Sequence, residues 1–143
     1  MTIDLQKKTQ TKNGTIETYW FENEHLGLKK TLFHKITIPL NPFNSGFEYE
    51  SQPLETCLLI DWLDLNLTNP SDLHGMIITS NKYPSVEGSI YVGNVHNPFD
   101  ILQLSFQKTD EKSYKIKGLI SIDFEHEMTA NKESFSFQTT ISF

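Results

Sequence analysis

The chain contains no arginine, a single cysteine and no apolar run approaching the length of a membrane span. Arginine is the side chain best suited to forked phosphate recognition and to stacking on bases. Twelve lysines without one arginine therefore argue against nucleic acid as a partner. Cys57 on its own excludes an intramolecular disulfide. A domain of this length buries roughly 68% of its unfolded surface, so it needs neither a disulfide nor a metal to fold. Met1–Gln10 holds no apolar stretch resembling an export signal, which makes a cytoplasmic location and no membrane partner the expectation. Also missing are a glycine-rich phosphate loop, a Gly-x-Ser-x-Gly elbow, a His-Glu-x-x-His helix and paired-cysteine zinc spacing. These absences imply no cofactor and no metal, and they lean away from catalysis.

What is present is a packed β domain. Ten Phe, five Tyr and two Trp in 143 residues supply the bulk of one core, and the whole chain, 1–143, reads as a single domain. The last thirty residues state the architecture most plainly. Phe135, Phe137, Thr139, Ile141 and Phe143 alternate with Ser134, Ser136, Gln138, Thr140 and Ser142. Upstream, Tyr114, Ile116, Ile120, Ile122 and Phe124 take the even positions between lysines, serines and acids. Successive side chains on a strand point to opposite faces, so each run has one dry side. Joined through Met128–Lys132, the two runs predict an antiparallel hairpin whose opposed residues share a face and whose numbers sum to an odd value. Phe124 with Phe135 is one such register and Phe124 with Phe137 is another. Gly118, at an inward position, marks a bend or a close contact with a large neighbour.

Further strands are predicted over Thr2–Lys8 (at an edge), Gly14–Phe21, Leu28–Leu40, Leu73–Thr79, Val86–Val92 and Ile101–Gln107. In the last of these Leu102, Leu104 and Phe106 face inward, so pairing with the following strand should show even sums. Glu55–Leu67 admits two readings. It is a strand whose phase changes near Asp61, which implies a bulge, or the one short amphipathic helix. Asn41-Pro42, Asn69-Pro70 and Asn97-Pro98 read as turns, with Phe43 and Phe99 as core plugs. The fold class is all-β, arranged as a two-sheet antiparallel sandwich with a curled barrel as the alternative.

Charge is distributed unevenly. Residues 1–40 carry +2, residues 81–143 carry −2, and residues 41–80 carry −6 with no lysine at all. Glu48, Glu50, Glu55, Asp61, Asp64 and Asp72, interleaved with Phe47, Tyr49 and Trp62, predict a surface for a basic protein partner, because complementary charge steers encounter and aromatic side chains anchor it. Such a module fits the general character of a bacterial immunity protein that neutralises a cationic toxin domain. Two alternatives are a barrel that holds a small apolar ligand with histidine-assisted chemistry, and a structural subunit that pairs through an edge strand. For an enzyme, His74, His96 and His126 are the acid–base candidates. Cys57 reads as a small apolar side chain in a strand, and Asp123, Glu125 and Glu127 as a wet row on the outer face of the hairpin.

Overall fold

In a computed structural model describing Met1–Phe143, eight strands follow in order: β1 (Gly14–Asn23), β2 (Leu28–Pro39), β3 (Cys57–Leu63), β4 (Ile77–Ile78), β5 (Glu87–Val92), β6 (Val95–Lys108), β7 (Ser113–Ile122) and β8 (Glu133–Ser142). They form one sheet, and it closes on itself. The order β6-β5-β3-β2-β1-β8-β7 returns to β6, with β4 lying along β6 beyond the end of β5. Neighbours pair antiparallel except β1 and β8, whose parallel contact is confined to Gly14 with Ile141 and Thr15 with Ser142. Opposite walls of the ring face each other across one core of 28 buried apolar side chains.

Parity sorts the terminal hairpin as its alternation predicts. Tyr114, Ile116, Ile120 and Ile122 on β7 and Phe135, Phe137 and Ile141 on β8 are buried. Opposed numbers sum to an odd value, as in Ile120 with Phe135 and Gly118 with Phe137. The register differs from both proposed solutions, because Phe124 does not belong to the strand. β7 stops at Ile122, and Asp123–Ala130 forms a wide turn in which Thr129 N–H and Ala130 N–H both donate to the Phe124 carbonyl. Asp123 accepts from the His126 N–H in that turn, so the acidic row is part of the turn and not of a strand face. The close contact at Gly118 is with Phe137, whose ring occupies the space a side chain would need.

Pairing of β6 with β7 shows even sums from Gln103–Leu119 to Lys108–Tyr114, but odd sums from Phe99–Ile122 to Ile101–Ile120. A bulge between Ile101 and Gln103 reverses the phase, so Leu102 is exposed and Ile101 takes the inward place. The phase change near Asp61 is present too. Leu58, Ile60 and Leu63 are buried, and the β2–β3 register slips between His34 and Ile36. Trp62 sits in the slip with φ 57°, so the strand reading of Glu55–Leu67 holds with its bulge, but only over Cys57–Leu63.

Three further expectations are corrected. Thr2–Lys8 is not an edge strand: Asp4 turns the chain at φ 66° into a short helix, α1 (Leu5–Lys8). The Glu133 carboxylate accepts the Asp4 and Leu5 N–H groups, so Ile3 and Leu5 can both enter the core. Leu73–Thr79 shortens to Ile77–Ile78. Asn97-Pro98 is not a turn but the interior of β6, where buried Asn97 donates to the Val92 carbonyl at 2.9 Å and the Val95 carbonyl at 3.1 Å. The turn lies earlier, at Gly93-Asn94, where both residues have positive φ, 68° and 64°, as a tight two-residue hairpin requires.

Candidate functional site: an acidic groove across β5 and β6

The β5–β6 hairpin is held at its tip by one carboxylate. Glu50, only 8% exposed, accepts from Gly93 N–H at 2.6 Å and Asn94 N–H at 3.3 Å, while its second oxygen accepts from the Ser45 hydroxyl at 2.6 Å. Gln52 closes the same loop, donating to the Ser45 hydroxyl and to the Phe47 carbonyl. This network lays residues 49–55 alongside the hairpin. Between them opens a cleft of about 410 Å³ lined by Tyr49, Glu50, Pro53, Glu55, Tyr91 and Asn94 among others.

Tyr91 is 40% exposed and stands directly across from His96 on β6, their ring centroids 5.3 Å apart and the rings edge to face. Beyond His96 a second cleft of about 400 Å³ brings together Glu87, Asp100, His126 and Glu127 over a floor of Gly88, Ser89, Pro98 and Phe99. The Tyr91–His96 pair is therefore the ridge between two clefts of one groove. Five carboxylates line it (Glu50, Glu55, Glu87, Asp100 and Glu127), and no lysine does. On the core side of the same strands, the Phe99 ring and carbonyl occupy the place a side chain at Gly88 would need.

Next to the groove, Asp61 on β3 pairs with Glu87 on β5. Its Oδ1 accepts from the Tyr19 hydroxyl at 2.6 Å and from the Trp62 N–H at 2.7 Å, which pins the bulge. Tyr19 titrates well above the ordinary tyrosine value, first because it is buried and second because the Asp61 carboxylate holds its proton. Trp62 packs edge to face on Tyr19, Phe21 and Phe33, making an aromatic cluster on the outside of the ring.

The structure thus gathers Tyr49, Glu50, Glu55, His96 and His126 into the groove and leaves Asp61 and Trp62 beside it. Phe47 packs partly into the core and against Tyr49 at 5.4 Å. Glu48 is exposed outside the groove lining, and Asp64 borders a different cleft beside Trp20 and His34. Asp72 is exposed beyond the Asn69 turn, and His74 accepts from the Lys108 N–H through Nδ1. His96 lies in a strand and not in a loop. His126 and Glu127 approach to 4.0 Å, and no side-chain hydrogen bond joins either histidine to Ser89 or to a carboxylate as a nucleophile–base pair requires. No cluster of three or more His, Cys, Asp or Glu is arranged to hold a metal ion. Burial raises the Cys57 thiol above its ordinary value, with Lys35 opposing the shift, as suits a small apolar side chain in β3.

Sequence reasoning missed Tyr91, Glu87, Asp100 and Glu127. The available signal was the Gly93-Asn94 turn, which sets Tyr91 opposite His96 and extends the acidic surface past residue 80.

Comparison with protein-family models, with curated proteins and with solved structures finds no match for this chain. Its own geometry defines an all-β protein of one ring-closed sheet that carries an open acidic groove on the outer wall.

Proposed function

We propose that this protein is a non-catalytic binding module that docks a basic segment of another protein in the groove across β5 and β6. The observation that carries the reading is that two lysine-free acidic clefts lie on either side of the Tyr91–His96 pair. Carboxylates on both sides steer a cationic partner and set its register, while half-exposed Tyr91 and exposed Tyr49 supply flat apolar anchors that cost little conformational entropy. The filled interior supports the same reading, since binding by a packed ring takes place on its outside. A cationic toxin domain held by an immunity protein is the concrete form of such a pair.

The test is calorimetric titration with a hexa-arginine peptide at low and high salt. Wild-type protein binds and weakens with salt. Glu55→Gln with Glu87→Gln, Asp100→Asn and Glu127→Gln, all exposed positions that leave Glu50 in place, lowers affinity at least tenfold. Equal binding by the neutralised protein removes the groove as the docking site.

A further inference from the structure

Beyond His34 the core-side face of the β1–β2 hairpin outgrows the closed sheet. Ile16, Thr18 and Trp20 stand opposite Ile36, His34 and Leu32, and directly opposed residues share a face. Ile16, Ile36 and His34 are buried, yet Trp20 on that same face is 62% exposed. The reason lies in β3, which pairs with β2 no further than His34 with Leu63. Past Leu63 the chain leaves the sheet, and Asn66, at φ 51°, helps to turn it. Between this segment and the hairpin lies a cleft of about 380 Å³, lined by Trp20, Lys30, Leu32, His34, Leu67 and Pro70 among others.

His34 is the buried member of that lining, only 1% exposed. Its Nε2–H donates to the Pro70 carbonyl at 2.7 Å, and Phe143 packs edge to face on the ring at 6.4 Å, so the imidazole is fixed in place. Burial keeps it neutral at neutral pH, which leaves Nδ1 an acceptor. Nδ1 is the one buried side-chain nitrogen or oxygen of the chain without a hydrogen-bond partner. Buried polar atoms are otherwise almost always paired, so this acceptor calls for a donor from outside the chain. Trp20 adds a flat apolar surface, and Lys30 holds its Nζ 5.6 Å from the centre of that ring. Around the cleft Lys29 and Lys30 outnumber the single acid, Asp64, so its charge is opposite in sign to that of the groove.

We infer that this cleft binds a small planar anion bearing an N–H or O–H donor, in its simplest form an aromatic carboxylate with a hydroxyl at the far end. The aromatic ring lies against Trp20, the carboxylate pairs with Lys30, and the hydroxyl donates to His34 Nδ1. The site is separate from the groove and lies outside the filled core.

The experiment is a nuclear magnetic resonance titration of the full chain with 4-hydroxybenzoate, with 4-methylbenzoate, which lacks the donor, and with 4-hydroxybenzamide, which lacks the charge. 4-Hydroxybenzoate should saturate, move the Trp20, Leu32 and Leu67 signals, and shift the His34 Nδ1 nitrogen resonance as that atom gains a hydrogen bond. Each analogue should bind at least tenfold more weakly, since a site built around a hydroxyl rejects a ligand without one. Trp20→Ala and Lys30→Gln, both at exposed positions, should each weaken 4-hydroxybenzoate at least fivefold with the fold unchanged. Absence of saturation by about 10 mM overturns the inference, as does equal binding of the three compounds. So does binding that leaves the Nδ1 resonance in place. The protein with Glu55, Glu87, Asp100 and Glu127 neutralised should bind 4-hydroxybenzoate as wild type does, so failure of one site is distinguishable from failure of the other.

Discussion

Glu50 accepts the backbone N–H of Gly93 at 2.6 Å, across forty-three residues of sequence. That contact sets Glu50, like Asp61, apart from the exposed acids of the central region, because both of its oxygens are engaged inside the molecule. Replacing it by alanine leaves the Gly93 and Asn94 N–H groups and the Ser45 hydroxyl without their acceptor. An unsatisfied buried donor costs about 1–3 kcal/mol, so Glu50→Ala should lose about 2–3 kcal/mol in urea denaturation. Glu48→Ala, on the exposed part of the same loop, should stay within about 0.5 kcal/mol of wild type. Equal losses would mean that the hairpin tip is held by something else.

The Gly118–Phe137 pair gives a second stability prediction. A methyl group at Gly118 overlaps the Phe137 ring, and both residues sit in ladders that resist displacement. Overpacking of this kind costs about 1–3 kcal/mol, and Gly118→Ala should lower the denaturation midpoint accordingly. Gly118→Ala with Phe137→Leu should recover part of the loss.

His34 predicts how stability depends on acid. Its Nε2–H donates to the Pro70 carbonyl at 2.7 Å, and Nδ1 is buried without a partner in a side chain only 1% exposed. Burial holds the ring below the ordinary histidine value, with the Pro70 hydrogen bond pulling the other way. The unfolded ring takes up its proton near pH 6.5 and the folded ring only at lower pH. Between those points the unfolded state binds more protons, so this contribution is intact above pH 6.5 and falls as pH drops through the window. His34→Gln, which keeps a donor for Pro70 but cannot titrate, should flatten the fall between pH 7 and pH 5 in denaturation midpoints. An unchanged slope would assign the acid sensitivity to other groups.

Tyr19 makes the complementary prediction at alkaline pH. Its proton is retained by burial and by Asp61, whereas the unfolded phenol ionises near pH 10. Stability is full below pH 10 and declines above it, because there the unfolded chain binds fewer protons. Tyr19→Phe should abolish that decline and cost about 1 kcal/mol at neutral pH through the lost hydrogen bond to Asp61. Ultraviolet titration of the phenol, with thermal melts at pH 8 and pH 10.5, checks both parts.

Much of the architecture was legible because strand parity is a local property. The inward residues of β7 and β8, the phase change at Asp61 and the tight contact at Gly118 all follow from which side of the chain a residue occupies. Register was not legible. The hairpin loop is wide because Phe124 plugs the core from within the turn, and no period in the sequence records that. Leu102 misled for a related reason, since one bulge residue reverses the face of everything before it. Thr2–Lys8 alternates like a strand, yet its course is set by Glu133, a partner nearly the whole chain away. The candidate site was legible in part. Counting charge along the sequence found Glu50 and Glu55, but a groove is assembled across strands. Its far wall lies beyond the acidic window: Glu87 and Asp100 are brought together by the Gly93-Asn94 turn, and Glu127 by the turn that follows β7.

The measurement that bears most directly on function is chemical-shift mapping of the full chain titrated with hexa-arginine peptide. The account predicts that the largest shifts fall on Tyr49–Glu55, Glu87–Val92 and Val95–Asp100, centred on Tyr91 and His96, and that Tyr91→Ala weakens binding about tenfold. Shifts concentrated on β7 and β8, or spread evenly over every exposed acid with Tyr91→Ala unaffected, would contradict it.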